Sequence, residues 1–456
     1  MSAVPEDELE IPTAPGRLPL IGHVLPLLRG PLRFFESLPR HGDLVQVRIG
    51  GLRTVIVCNP ELTHEVLVHD RVYDKGGVLY ARLREVLGND GVATCPHREH
   101  RRQRRLIQPV FHQERYPEYV RAMTREIAVQ IGKWNDGQTL DALTAALSIT
   151  SRVAVKTMFS APLPPSVIDG IVDDLNTAMA FMYKRLLIPR TLQSLPILGK
   201  RTYDSARTRL RESTDRIIAE YQERGIDYGD LLATMLRAQN QDSATGIDQG
   251  RGGLSDQEIG DQVVTFLLGG IEANAKTIAW ALHVIARDPG LQKRLHAEAD
   301  TVLAAAAPEF GDVPELDLTG RTVHETLRLY SIGWFFTRTT TEPARLGGYR
   351  IPAGTTVVYS PYLLQRREDL YHDADRFDPD RWAGEGAVSA RSKAFVPFGG
   401  GARKCIGDTF AVVQATVTLA MIMSAWQVEP TTGAPLRTKI NIQLSPNGGP
   451  LRVRAR

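Results

Sequence analysis

One cysteine and its neighbours constrain this chain more than any other feature. Residues 398–407 read Phe-Gly-Gly-Gly-Ala-Arg-Lys-Cys-Ile-Gly. Gly399, Gly400 and Gly401 have no Cβ, so the backbone can turn sharply there and lie close to a flat ligand. Arg403 and Lys404 set positive charge beside the sulfur of Cys405. The run that follows, from Ile406 to Leu419, is largely apolar and reads as a helix, which puts Cys405 at a helix N-terminus. Free N–H groups and the macrodipole favour an anion at that place, so a lowered thiol pKa is expected. A thiolate so placed suits ligation of haem iron.

Simpler readings of the segment fail on detail. A phosphate-binding loop needs Lys-Ser or Lys-Thr after its last glycine, and neither is present. A zinc site takes four ligands, whereas Cys58 and Cys95, the other two cysteines, have no CxxC spacing. A buried structural cysteine would not explain three glycines and two cations placed just before it. The pattern Phe, two residues, Gly, any, Arg, any, Cys, any, Gly resembles the haem-binding segment of the cytochrome P450 family. That resemblance implies a haem b cofactor with Cys405 as the iron ligand, and Phe398, Arg403 and Gly407 around it.

Length alone, 456 residues, would allow about three domains. The motifs between His100 and Gly407 make sense only if they meet at one cofactor, so a single large domain over residues 15–456 is expected, after an acidic, flexible tail at 1–14. A net charge of +3 gives no reason to expect a nucleic-acid partner. Three cysteines are too few for a disulfide framework and fit a reducing cytoplasm. The first residues contain neither a signal peptide nor the run of about 20 apolar residues that a span requires, so no membrane anchor is expected.

Leu44–Ile49 and residues 54–58 flank Gly50-Gly51 and read as a β-hairpin, and residues 346–359 read as a second. Helical patterns dominate between them, interrupted by Pro162, Pro164 and Pro165 and by a polar stretch at 239–253. The fold class is therefore mainly α with small β-sheets, as in the cytochrome P450 fold. One helix is bounded by a capping box, Ser255-Asp-Gln-Glu258, with Leu254 and Ile259 as a hydrophobic staple. It continues to Arg287 ahead of Pro289, about 32 residues or roughly 48 Å. Its middle is apolar all round and contains Gly269-Gly270 and then Glu272 and Asn274. Each glycine costs about 1 kcal/mol in a helix interior, so close passage over a cofactor is expected there.

Glu325-Thr-Leu-Arg328 places two charges on one helix face among apolar neighbours. By resemblance to the family's Glu-x-x-Arg pair, Glu325, Arg328 and Arg381 form a structural lock. Five arginines fall between residues 98 and 105, without the interleaved aromatics of a nucleic-acid surface. The family's His-x-x-x-Arg element assigns His100 and Arg104 to the haem propionates; Arg338 and Arg403 complete the clamp, and the remaining arginines face outward. Leu79, Tyr80, Phe181, Met182, Leu268, Ile271, Ala273, Ile332, Trp334 and Phe335 are candidates for an apolar substrate pocket.

The sequence departs from the family in the central helix, where small-Gly-x-acid-Thr-Thr becomes Gly269-Gly-Ile-Glu272-Ala273-Asn274. Ala273 cannot relay a proton. Asn274, water ordered by Glu272, a substrate hydroxyl or, less directly, Thr277 must substitute. The resemblance implies a cytoplasmic monooxygenase that inserts one atom of O2 into a C–H bond. Its electrons would come from a ferredoxin and its reductase, since no flavin- or nicotinamide-binding stretch is present. Framework segments such as residues 100–111 and 337–343 resemble bacterial members that oxidise sesquiterpenes or diterpenes in secondary metabolism. Nitric oxide reduction, phenol coupling and a non-catalytic haem sensor remain alternatives.

Overall fold

A computed structural model describes residues 10–158, 164–186, 199–224, 230–245, 253–304, 306–384 and 392–456. Most of the proposed N-terminal tail, Pro162 and part of the 239–253 stretch lie outside the described residues. Helices make up most of the fold, beside one five-stranded sheet and three smaller ones.

The expected first hairpin is formed by β1 (Leu44–Ile49) and β2 (Leu52–Val57), turning at Gly50-Gly51 with Ile49 opposite Leu52. The second hairpin forms only in part. Ala344–Leu346 pairs with Tyr349–Ile351 across Gly347-Gly348. Residues 356–359, expected to be its continuation, leave it for the large sheet. With β3 (Tyr73–Lys75), β4 (Phe336–Thr340) and β5 (Thr356–Tyr359), that sheet has the order β1-β2-β5-β4-β3, and β5 runs parallel to β2. All four β5 residues are buried, which local alternation could not reveal.

The helical core surrounds one long element. Asp256–Leu268 and Asn274–Ile285 are joined by a π-helical turn, Gly269–Ala273, and together they form the central helix. Its capping box is present, with Ser255 and Glu258 exchanging bonds. Glu258 also receives Gln103 Nε2 at 2.8 Å and ion-pairs with Arg102, so Arg102 does not face outward as expected. It ties the arginine-rich helix, His97–Ile107, to the start of the central helix, whereas Arg98, Arg101 and Arg105 are exposed. Beneath the central helix lies the cysteine helix, Asp408–Ala425. Among the described residues it alone is long and apolar enough to cross a membrane, but 67% of it is buried in the fold.

The buried Glu325 carboxylate accepts Arg328 Nε and Nη2, both at 2.8 Å, Arg381 Nε at 2.9 Å and Trp382 Nε1 at 2.9 Å. Arg328 spends its other N–H groups on the carbonyls of Gln365, Ala374 and Arg376. The three expected lock residues therefore meet: one buried carboxylate faces two guanidinium groups, whose remaining N–H groups go to backbone carbonyls.

Candidate active site

The cysteine loop is shaped by its glycines. Gly399 and Gly401 have φ of +70° and +63°, and a Cβ on Gly401 would lie 2.1 Å from the Leu67 carbonyl oxygen. A side chain there would meet both backbone strain and a clash. The loop returns on itself where Cys405 N donates to Phe398 O at 2.9 Å. The following helix starts at Asp408, two residues later than the sequence suggested. Burial pushes the Cys405 thiol up, and Asp408 adds to this; the Gly407 N–H, Lys75 and Arg104 pull it down without prevailing. The expected lowering is thus corrected, because the sulfur stands short of the first helical turn and away from bulk water. Its exposure is to an internal cavity, and a sulfur in that setting ionises readily only against a bound cation.

The opposite wall is the π-turn. Among the described residues nothing beyond its own helix lies within 4 Å of where a Gly269 Cβ would be, whereas at Gly270 it would stand 2.9 Å from Met158 Cε. One glycine opens the wall and the other seats the helix on its neighbour. Thr150 Oγ1 donates to the Ile271 carbonyl at 3.1 Å, serving a backbone acceptor where the helix is irregular.

Between these walls lies a cavity of ≈ 370 Å³, mostly apolar. Leu79, Tyr80, Leu268, Ala273, Ile332 and Phe335 line it. Phe181, Met182, Ile271 and Trp334 do not, and their pocket assignment is corrected. Phe181 stacks on Tyr203 at 4.8 Å between ring centres, and Met182 and Ile271 are packed into the core. On the helix of Phe181, Met179 forms the wall instead. Trp334 packs edge-on against Phe35 at 5.3 Å and donates to Asn441 O at 2.9 Å.

The polar residues of the central helix divide. Glu272 is buried but off the cavity wall, ion-paired with Lys276. Asn274 and Thr277 reach the wall; Asn274 Nδ2 donates to Gln414 Oε1 at 2.8 Å, and Thr277 Oγ1 to the Ala273 carbonyl at 3.1 Å.

One end of the cavity gathers cations. Arg104 and Arg338 line it, joined by Lys75, which nothing in the local sequence marked. Lys75 is held down to about 8, chiefly by burial with Arg403 and Arg338 adding to it. Arg338 bonds Tyr80 OH at 3.4 Å and its own neighbour's carbonyl, and Arg104 bonds the carbonyls of Ala402 and Lys404. None of these three pairs with a carboxylate among the described residues. The buried His100 Nδ1 has no partner among the described residues, and burial with the surrounding cations takes this ring down to about 2. Arg403 differs from expectation: it lines the cavity, but Asp70 and Asp74 already neutralise it. A sulfur, apolar walls and a cluster of cations lacking counter-anions fit a flat apolar metal complex bearing carboxylates. Haem, with its two propionates, has that chemistry.

Comparison with known proteins agrees with this arrangement. The sequence model of the family described as Cytochrome P450 matches residues 12–450. Cyclooctatin synthase of Streptomyces melanosporofaciens is 42% identical over 96% of this chain and 94% of its own length. Cyclooctat-9-en-7-ol 5-monooxygenase of the same organism is 41% identical over 95% and 93%. Pentalenene oxygenase of Streptomyces avermitilis is 40% identical over 93% of both chains. The crystal structure of the cytochrome P450DA heme domain superposes with a TM-score of 0.84 at 27% identity, covering 98% of each chain.

Proposed function

The chain belongs to the cytochrome P450 family, and from that premise we propose that it is a terpene monooxygenase whose haem iron is held by Cys405. It is an oxidoreductase that uses haem b, dioxygen and electrons from an external donor. The observation that carries the reading is the mostly apolar cavity, which lies between the cysteine loop and the open Gly269 face and matches a largely apolar guest. The three relatives named above, similar over nearly their whole length, are terpene-oxidising enzymes.

Lys75, His100, Arg104 and Arg338 would take the propionates, with Phe398, Arg403 and Gly407 shaping the surroundings of the sulfur. Haem bound through a thiolate supplies the electron donation that favours O–O cleavage and oxygen insertion into a C–H bond. The protein excludes water with its apolar wall and must still supply protons. Along the central helix the wall residues are Thr265, Phe266, Leu268, Gly269, Gly270, Ala273, Asn274 and Thr277, none of which changes charge near neutral pH. With Glu272 held by Lys276, protons must travel through water ordered by the Asn274 amide and the Thr277 hydroxyl, or through a hydroxyl on the substrate. A cytoplasmic ferredoxin fits the exposed Arg98, Arg101 and Arg105, whose positive field would steer an acidic donor.

The test pairs two measurements on purified protein. The reduced carbon monoxide complex should show the red-shifted thiolate band, lost in Cys405→Ser. Incubation of a terpene panel with a surrogate ferredoxin and reductase should yield oxygenated products by mass spectrometry. A normal band with no product from any terpene would turn the reading toward a haem sensor.

A further inference from the structure

Gln443 is a cavity residue whose side chain is clamped by a buried charge. Lys276 Nζ, in the central helix beyond the π-turn, donates to Gln443 Oε1 at 2.8 Å and ion-pairs with Glu272. An ammonium can only donate, so the amide orientation is unambiguous: oxygen toward Lys276, nitrogen away from it. The backbone is fixed as well. Gly333 and Gln443 form an antiparallel bridge, and Leu444 N donates to Ile332 O at 2.9 Å. Gln443 lines the cavity beside Ile332, Gly333 and Ile442, and among the described residues its side chain bonds Lys276 alone, through the oxygen. A charge-assisted bond to the carbonyl end polarises the amide and strengthens the N–H donors at its other end.

We propose that Gln443 Nε2 is a substrate anchor, and that the substrate is a terpene already carrying an oxygen that accepts this bond. This deepens the proposed function and rests on it. Holding Lys276 in the interior makes sense if its partner's amide must keep one orientation. Space filling alone would be met by leucine, with no buried ion pair. A hydrocarbon would leave a polarised donor facing an apolar guest, while an alcohol or ketone would satisfy it. The enzyme would thus act after a reaction that has already put oxygen on the carbon skeleton, either an earlier oxidation or a cyclisation ended by water.

The test is spectral titration of the haem-loaded protein with matched pairs sharing a skeleton: α-cedrene with cedrol, and abietadiene with abietadienol. The wild type should bind the oxygenated member of at least one pair about tenfold more tightly, the size expected for one hydrogen bond made or left unmade. In Gln443→Leu, checked for an unchanged carbon monoxide band, that preference should fall to within about twofold. Equal affinities within both pairs in the wild type, or a preference that survives in Gln443→Leu, would overturn the anchor while leaving the terpene reading standing. If no terpene of either kind perturbs the spectrum, both proposals fall. Lys276→Met gives a second line: it should weaken the preference without removing it, and an undiminished preference would count against the clamp.

Discussion

Replacing Glu325 by Gln tests whether the lock near the cysteine loop holds the fold by charge or by shape. Counting the backbone N–H of Asp378 at 2.9 Å, five donors converge on this carboxylate. The Glu325 and Arg328 side chains are fully buried, and Arg381 is 8% exposed. Glutamine keeps the volume but removes the charge that compensates two guanidinium groups, and its NH2 would face donors. Removing one member of a buried pair costs about 3–5 kcal/mol, because the remaining charge cannot reach water. Glu325→Gln should therefore lower the unfolding free energy by about that amount, read from urea midpoints of haem-loaded protein followed by circular dichroism and the Soret band together. Arg328→Met alone should cost a similar amount. The double variant should cost less than the sum by at least about 1 kcal/mol, since the two groups act as one unit. A loss below about 1 kcal/mol for Glu325→Gln, the size typical of an exposed pair, would refute the reasoning.

Further outcomes follow from single residues. Lys75→Met should release haem to apomyoglobin about tenfold faster, as loss of a charge-assisted bond implies, and an unchanged rate would remove Lys75 from the propionate clamp. His283 is buried beside Arg287 and held down to about 4, mainly by burial. Its unfolded value is near 6.5, so the unfolded chain binds the extra proton first; its stabilising contribution is complete above pH 6.5 and lost as pH falls toward 4, by about 3 kcal/mol at most. His283→Asn should flatten that acid limb in urea midpoints measured at pH 7 and pH 5. Ala273→Thr should leave haem uptake intact but alter both the fraction of reducing equivalents reaching product and the solvent isotope effect. If neither changes, position 273 takes no part in proton supply.

What the sequence revealed was set by how local each signal was. The Ser255–Glu258 cap is readable because both partners lie within one helical turn, and it is formed. The lock was half readable: Glu325 and Arg328 share a helix face, whereas Arg381 came only through likeness to the family. Lys75 and Gln443 were missed because their roles depend on strands and loops brought together from distant parts of the chain. Arg403 was assigned to the propionate clamp because nothing beside it predicts that Asp70 and Asp74 arrive from more than 300 residues upstream. Phe181 and Met182 illustrate another limit: an apolar helix face narrows the choice of wall residue to a turn, and packing with Tyr203 decided for Met179.

The π-turn at Gly269–Ala273 places slack in the cavity wall rather than in the helix after it. A π-turn holds one residue more than the α-turn it replaces, so deleting one residue there would restore regular α-helix and reshape the cavity wall locally. The downstream half would stay in register, with Lys276 still on Gln443 and Asn274 still on Gln414, in a single genetic event. Length changes at this spot therefore offer such a scaffold a route to new guests that no series of point substitutions reproduces.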